Sequence, residues 1–168
     1  MNREALQLIN TFFYVGHMKP APGTWGSAAA LAVGVAIDYY LGFPVLVLAT
    51  IAVTALGFWS VGVELKDRPG EDPSEIVIDE VAGQWLTLLF PTAAFWHMGL
   101  TNWAVVAYPG WVAAFFFFRL FDIWKPWLVG RADRRGDAKG VMLDDLWAGL
   151  FAGIAVAITA GISHGVLM

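Results

Sequence analysis

Long apolar stretches dominate the pattern of hydrophobic and polar positions along this chain. A bilayer core of about 30 Å requires about 20 consecutive apolar residues per helix. Four stretches approach or reach that length, and a shorter one turns through Leu41-Gly42-Phe43-Pro44 into the stretch that follows it. The predicted membrane-spanning or membrane-embedded helices are 25–41, 43–63, 81–98, 103–121 and 147–167.

The N-terminal residues predict a helix of another kind. Within residues 2–15, Leu6, Ile9 and Phe13 recur at helical spacing and form an apolar stripe. A helix of this type lies in the membrane interface instead of crossing the bilayer. The chain length allows one domain. We therefore predict that residues 1–168 form a single all-α, polytopic membrane helix bundle, with about five embedded helices and an N-terminal interfacial helix.

The composition supports a membrane protein and excludes several chemistries. Hydrophobic residues make up 58% of the chain and charged residues only 14%, whereas soluble domains carry about 25% charge. The 9 Trp and 12 Phe residues suit aromatic belts at the lipid headgroups. The chain has no Cys, which excludes disulfides, thiolate metal sites and cysteine-based phosphatase chemistry.

The distribution of charge predicts the orientation of the bundle. If the five helices alternate in direction, all 10 Lys and Arg residues fall on the side where the chain starts. The turns on the other side and the C-terminus carry none, and the acids follow the same pattern except for Asp38. By the positive-inside rule, the charged side is cytoplasmic.

Two ribbons of small residues, spaced four apart, predict close packing between helices. They are Ala28, Ala32 and Ala36 in the first predicted span, and Gly149, Gly153, Ala157 and Gly161 in the last.

Three groups of ionisable residues lie where the predicted helices meet the cytoplasmic side. They are Asp79-Glu80, Arg119 with Asp122 and Lys125, and Asp144-Asp145. Carboxylates without Cys suit Mg²⁺ better than Zn²⁺. Mg²⁺ together with Lys and Arg is suited to a phosphoryl group, because the metal neutralises charge and the bases bind oxygen atoms.

Each group also has a plainer interpretation. Asp79 would cap the helix that follows it, and Asp122 would form a local ion pair with a neighbouring base. Asp144 and Asp145 point about 100° apart on a helix. One of them is therefore expected to bind a metal, and the other to bind a second metal or a base such as Arg119 or Lys125.

A fourth segment, residues 17–27, leads into the first span. It supplies a base at Lys19, a hydroxyl at Thr24 near a helix N-terminus, and glycines that permit tight turns. These features predict an anion cradle. His17 is a candidate proton donor, although a single loop histidine is usually incidental.

The same segments resemble the phosphatidylglycerophosphatase A family of bacterial inner-membrane phosphatases. Four blocks carry the resemblance in the right order, namely residues 21–27, 76–85, 119–127 and 140–149. The resemblance implies Mg²⁺-dependent removal of the terminal phosphate of phosphatidylglycerophosphate, which gives phosphatidylglycerol, at the cytoplasmic face. It also implies the active-site residues Asp79, Glu80, Asp122, Lys125, Asp144 and Asp145.

Two positions depart from the family pattern. This chain has Asp137-Ala138-Lys139 where the family commonly has a glycine pair, and Leu128 where it often has proline. Both departures lie in the loop between the groups, so they concern the geometry of that loop and not the acids.

The resulting hypothesis assigns a role to each residue. The proposed metal ligands are Asp79, Glu80, Asp144 and Asp145. The proposed catalytic acids are Asp79, Glu80, Asp122 and Asp145. The proposed phosphate-binding residues are Lys125, Arg119, Thr24, Lys19 and His17. Asp122 is either a further metal ligand or the base that activates water. A mechanism through a phosphorylated Asp is the alternative to direct attack by water. The partners are the lipid substrate and the membrane, with no nucleic acid. The alternatives are a phosphatase for another lipid or isoprenoid phosphate, and a small membrane transporter or structural subunit.

Overall fold

In a computed structural model, which describes residues 3–67, 73–99 and 109–167, the chain folds into helices joined by turns. The described residues contain no strand, in agreement with the predicted all-α class. The helices are α1 (Arg3–Asn10), α2 (Pro22–Leu41), α3 (Phe43–Glu64), α4 (Ile78–His97), α5 (Gly110–Trp124), α6 (Leu128–Asp133) and α7 (Ala138–Leu167).

The apolar stretches correspond to α2, α3, α4, α5 and α7. Pro22 and Pro44 lie in the first turns of α2 and α3, where the missing N–H of proline removes no helical hydrogen bond. Helix α7 begins at Ala138 and not at residue 147, and the short helix α6 was not predicted. Residues 103–108 of the fourth predicted span, and residues 100–102 before it, lie outside the described residues.

Two of these helices are long and apolar enough to cross a membrane by length and composition. They are α3, with a mean hydropathy of 2.1, and residues Ala138–Ser163 of α7, with a mean hydropathy of 1.9. The all-helical architecture is therefore confirmed, whereas the count of five spans stays a prediction.

The N-terminal helix is shorter than the predicted 2–15. It ends at Asn10, because Phe12, Phe13 and Tyr14 all adopt left-handed backbone conformations. Asn10 fastens this helix to the bundle. Its side-chain amide donates a hydrogen bond to Glu64 at the end of α3, and its carbonyl oxygen accepts one from the Val77 N–H at 2.8 Å, directly before α4.

Helix α4 is the centre of the bundle and packs against α2, α3, α5 and α7. The backbones of α4 and α7 approach each other closely at two glycines. A Cβ atom added to Gly149 would overlap the carbonyl of Gly83, and one added to Gly83 would lie 2.5 Å from the carbonyl oxygen of Asp145. The Thr87 hydroxyl spans the same contact, since it lies 3.1 Å from the Gly149 carbonyl oxygen.

In the predicted ribbon of α7, Gly149 and Gly153 pack closely, whereas Ala157 and Gly161 are exposed. The predicted ribbon of Ala28, Ala32 and Ala36 does not form the packing face of α2. Ala32 and Ala36 are exposed, and the buried face of α2 consists of Gly26, Ala30, Gly34 and Asp38 together with Ser27. The large side chains of α4 explain this orientation. A Cβ atom on Gly34 would lie 2.9 Å from both Trp85 and Leu88, and the Trp85 indole donates to the Ala30 carbonyl at 2.7 Å.

We expect Gly149→Ala to destabilise the protein, because the added methyl group forces α7 away from the backbone of Gly83. Overpacking of this kind costs about 1–3 kcal/mol. The matched control is Gly161→Ala in the same helix, where an added Cβ meets nothing within 4 Å. Thermal unfolding in detergent should show a lower midpoint for Gly149→Ala and an unchanged or higher midpoint for Gly161→Ala. Equal midpoints would contradict the close packing of α4 and α7.

Candidate active site

The crossing of α4 and α7 brings three carboxylates together. Asp79 and Glu80 lie in the first turn of α4, and Asp145 lies in the second turn of α7. One carboxylate oxygen from each of the three lies within 4.8 Å of the other two. Asp79 is 8% exposed and Asp145 is 3% exposed. The glycine contact one turn further along each helix permits this approach, since bulkier residues there would separate the acids.

The chemistry of this cluster fits a divalent cation. Buried carboxylates are costly unless they are paired or bound to a cation. Among the described residues, Glu80 Oε2 and Asp145 Oδ1 are buried atoms without a hydrogen-bond partner. Oxygen ligands of this kind are those that Mg²⁺ prefers. Asp79, Glu80 and Asp145 are therefore the residues that could hold such an ion.

Asp79 does not cap α4, so the plainer interpretation of this residue is wrong. The helix begins at Ile78, and the residue before it, Val77, provides no side-chain cap. Asp79 lies inside the first turn, where the positive end of the helix dipole favours a negative charge. One of its oxygen atoms accepts a hydrogen bond from the backbone N–H of Glu80 at 3.0 Å.

Asp144 is not one of the three clustered acids and pairs with Lys125 at 3.2 Å. This is one of the two arrangements that the helix geometry left open, in which one of the adjacent acids binds a base. Lys125 also forms an ion pair with Asp133 of α6. Burial lowers the pKa of Lys125, but the hydrogen bond to Asp133 and the charge of Asp144 outweigh it and raise that pKa above its ordinary value. Lys125 therefore stays positively charged beside the acids.

The backbone at the end of α5 turns Lys125 towards these partners. The helix ends at Trp124, as the following Pro126 predicts. Lys125 then adopts a left-handed conformation, with φ 50° and ψ 53°. A helical Lys125 would share the face of Arg119 and Asp122, whereas the left-handed turn explains how Lys125 reaches both α6 and α7.

Arg119 and Asp122 form an ion pair one turn apart on α5. Asp122 also interacts electrostatically with Asp145, so this ion pair lies close to the three acids. The Arg119 Nη1 atom is 3.5 Å from the Ser27 hydroxyl of α2. The local ion pair is thus present, and it is part of the same cluster.

The N-terminal end of α2 closes the site on another side. A Cβ atom on Gly23 would overlap Glu80 Oε1 and lie 3.3 Å from Arg119 Nη1. The absence of a side chain at Gly23 therefore lets the chain pass directly over Glu80. This glycine belongs to the predicted anion cradle.

The other predicted residues of that cradle make fewer contacts with the acid cluster. Thr24 lies in the first turn of α2 and is partly buried, whereas Lys19 and His17 are exposed. His17 Nε2 lies 3.2 Å from the side-chain nitrogen of Gln7. Among the described residues, no hydrogen bond or ion pair joins these three side chains to the acids, so their roles stay predictions.

Two acids near the site were missed by the sequence reasoning. Asp133 could not be found, because the short helix α6 that carries it has no clear periodicity. Asp137 accepts a hydrogen bond from the Gly140 N–H at 2.7 Å and pairs with Arg135 at 3.0 Å. It therefore caps α7, the helix that carries Asp144 and Asp145. An Asp directly before a helical run is the usual signal of such a cap.

Comparisons with known proteins identify the family of this chain. A model of the family described as phosphatidylglycerophosphatase A matches residues 8–160. A Haemophilus influenzae protein named phosphatidylglycerophosphatase A is 32% identical over 152 residues, which cover 90% of this chain and 86% of that protein. The Escherichia coli protein of the same name is 33% identical over 147 residues, or 86% of this chain and 77% of that protein.

A third relative carries a different name. A Bacteroides thetaiotaomicron protein named putative phosphatidylinositol-3-phosphatase is 36% identical over 156 residues, which cover 90% of this chain and 91% of that protein. No solved structure matches the chain. The family match extends over all the residues that build the acid cluster, from Gly23 to Asp145. The chain therefore belongs to the phosphatidylglycerophosphatase A family and is a phosphatase, a phosphoric monoester hydrolase.

Proposed function

We propose that this protein removes the terminal phosphate of phosphatidylglycerophosphate, with the help of Mg²⁺, at the cytoplasmic face of the bacterial inner membrane. The observation that carries the proposal is the cluster of Asp79, Glu80 and Asp145, whose oxygen atoms lie within 4.8 Å of one another. Two basic side chains, Arg119 and Lys125, lie beside it. The names of the Haemophilus influenzae and Escherichia coli relatives support this substrate.

The cluster would hold the metal through Asp79, Glu80 and Asp145. Asp144 was predicted as a fourth ligand, but its ion pair with Lys125 favours a different role, in which it orients the lysine. Mg²⁺, when bound, neutralises charge on the phosphoryl oxygens and activates water for attack.

The side chains around the metal ligands divide the remaining tasks. Arg119 and Lys125 bind the oxygen atoms of the phosphate, as preorganised cations stabilise the charge of a phosphoryl-transfer transition state. Asp122, which lies next to Asp145 and is paired with Arg119, accepts a proton from the attacking water. A P–O bond forms to that water, the ester P–O bond breaks, and the glycerol oxygen leaves and takes up a proton.

We propose five membrane-embedded helices for the bundle, with the acids at the cytoplasmic ends of α4, α5 and α7. The two helices that are apolar enough to cross a membrane support part of this arrangement, and the distribution of Lys and Arg supports its orientation. In that arrangement the acyl chains of the substrate stay in the bilayer while its phosphate reaches the acids.

A second candidate substrate is a phosphoinositide with a phosphate on the inositol ring. The name of the Bacteroides thetaiotaomicron relative favours it. Both candidates are phosphoric monoesters on a lipid, and the same acids and bases would act on either. The difference lies in the alcohol that leaves, so a direct comparison of substrates separates them.

We expect phosphate release from phosphatidylglycerophosphate to require Mg²⁺ and to stop with EDTA. Asp79→Asn and Asp145→Asn each remove a proposed metal ligand. They should lower the rate by more than about 100-fold, the upper end of what loss of an outer-shell partner of a metal costs. The matched control is Asp38→Asn, a buried acid near the other end of α2, which should keep the rate. Phosphatidylinositol 3-phosphate serves as the competing substrate in the same assay.

Each outcome of this assay has a definite meaning. Faster phosphate release from phosphatidylinositol 3-phosphate would change the assigned substrate, while the assignment of the active-site acids would stand. Wild-type turnover in both Asp79→Asn and Asp145→Asn would overturn the assignment of the acids. No release from any lipid phosphate by a folded protein would favour the transporter or structural alternative.

We expect Gly23→Ala to reduce phosphate release strongly without unfolding the protein. The new methyl group meets the flexible end of Glu80, so the carboxylate shifts while the helices stay in place. The matched control is Gly62→Ala, where an added Cβ has nothing within 4 Å. Rates and thermal midpoints should be measured for both variants. A Gly23→Ala protein with a normal rate would argue against a catalytic role for Glu80.

The absence of Cys allows a clean test of orientation. Met98→Cys and Lys139→Cys each introduce one exposed thiol at opposite ends of the predicted bundle. In intact cells, a membrane-impermeant maleimide should label the thiol at position 98 and should reach position 139 only after the cells are opened. Labelling of both thiols from outside, or of neither, would contradict the five-helix arrangement.

A further inference from the structure

Gln84 is a buried polar residue whose hydrogen bonds are missing. It is 0% exposed, and both its amide nitrogen and its amide oxygen lack a hydrogen-bond partner. Leaving a buried polar group unsatisfied costs about 1–3 kcal/mol. The buried hydroxyl groups of Thr87 and Thr92 on the same helix avoid this cost, because each donates to a carbonyl oxygen four residues earlier.

The position of Gln84 links it to the site. It follows Glu80 by four residues on α4, so the two side chains lie on the same face of the helix, about 6 Å apart along its axis. Side chains at this spacing are neighbours and can form hydrogen bonds. Gln84 therefore lies one turn deeper than the acid cluster and directly beneath one of its members.

The unpartnered atoms around Gln84 are complementary in chemistry. Glu80 Oε2 and Arg119 Nε are also buried without partners, and these two side chains approach each other at Gly23. Glu80 Oε2 accepts hydrogen bonds and Arg119 Nε donates them, while the Gln84 amide does both. Two donors and two acceptors thus remain open in one region of the bundle.

We propose that Gln84 is a positioning residue for Glu80. The hydrogen bonds that position it are absent from the structure and would form when a cation draws the Glu80 carboxylate into place. The amide nitrogen of Gln84 would then donate to Glu80 Oε2, which orients the carboxylate and leaves the other oxygen free to bind the cation. The amide oxygen would accept from Arg119 Nε, which connects the metal-binding end of the site to its phosphate-binding end. This inference rests on the proposed function, because it takes Glu80 as a metal ligand.

An outer-shell role of this kind has a measurable signature. Loss of an outer-shell partner typically reduces metal affinity or activity by about 10–100-fold. Loss of a packing residue instead lowers the stability of the metal-free protein. The two roles therefore predict changes in different quantities, and both can be measured on the same purified variant.

The test uses Gln84→Met, which preserves the length of the side chain and removes both polar atoms. Thr92→Val is the matched control, since it removes a buried hydroxyl from the far part of the same helix. We would titrate each protein in detergent with Mn²⁺, detected by its paramagnetic resonance, and record thermal unfolding without metal. Rates would be measured over a range of Mg²⁺ and lipid concentrations.

We expect Gln84→Met to weaken Mn²⁺ binding by about 10–100-fold and to leave the metal-free unfolding midpoint unchanged or higher. Its rate should fall at low Mg²⁺ and recover at high Mg²⁺, with an unchanged KM for the lipid. Thr92→Val should bind Mn²⁺ like the wild type. Gln84→Leu serves as a second apolar variant and should behave in the same way.

Other results would overturn the inference. Wild-type Mn²⁺ affinity in folded Gln84→Met and Gln84→Leu would remove the positioning role while leaving the proposed function intact. Metal-free midpoints lowered in both variants, with normal affinity in the folded fraction, would identify a structural amide. If the wild-type protein itself bound no Mn²⁺ and released no phosphate, the proposed function would fail first and this inference with it.

Discussion

The approach of two backbones at Gly83 and Gly149 is the constraint on which the rest of the structure depends. The acids of α4 and α7 belong to segments far apart in the chain, and each helix alone would leave its carboxylates in a separate environment. The absence of side chains at the crossing brings the helix axes together, and the acids near the start of both helices then share one space. A crossing of this kind uses van der Waals contact at close range, which is how helices associate where lipid replaces water.

The charged residues of the site are arranged around this crossing. Buried acids occupy the centre, and the two bases are paired with acids outside the cluster of three. Arg119 is paired with Asp122, and Lys125 is paired with Asp144 and Asp133. A base that already has an acidic partner keeps its charge and its position before any ligand arrives. Preorganised charge of this type does not have to rearrange during the reaction, which is the main source of electrostatic catalysis.

The sequence predicted the helices well where an apolar stretch was bounded by proline or by acids, as in α3, which begins at Phe43 as expected. It also predicted that the acid pairs converge, since they lie at the ends of helices on one side. It failed where tertiary contacts decide. The buried face of α2 follows the large side chains of α4, the length of α1 follows the contacts of Asn10, and Gln84 appears in the sequence as a single polar residue in an apolar run. None of these features has a local signal that periodicity could reveal.

The link between Asn10 and Val77 has a practical consequence for handling the protein. The hydrogen bond from the Val77 N–H to the Asn10 carbonyl ties the first helix to the residue that precedes Ile78 and Asp79. A purification tag or fluorescent fusion attached before Arg3 would join a helix that is hydrogen-bonded to the residue preceding α4. The end of α7 offers a safer attachment point, because its last turns lie far along the helix from Asp145 and Gly161 has open space around it. Tags and fusions for biochemical work should therefore be attached at the C-terminal end.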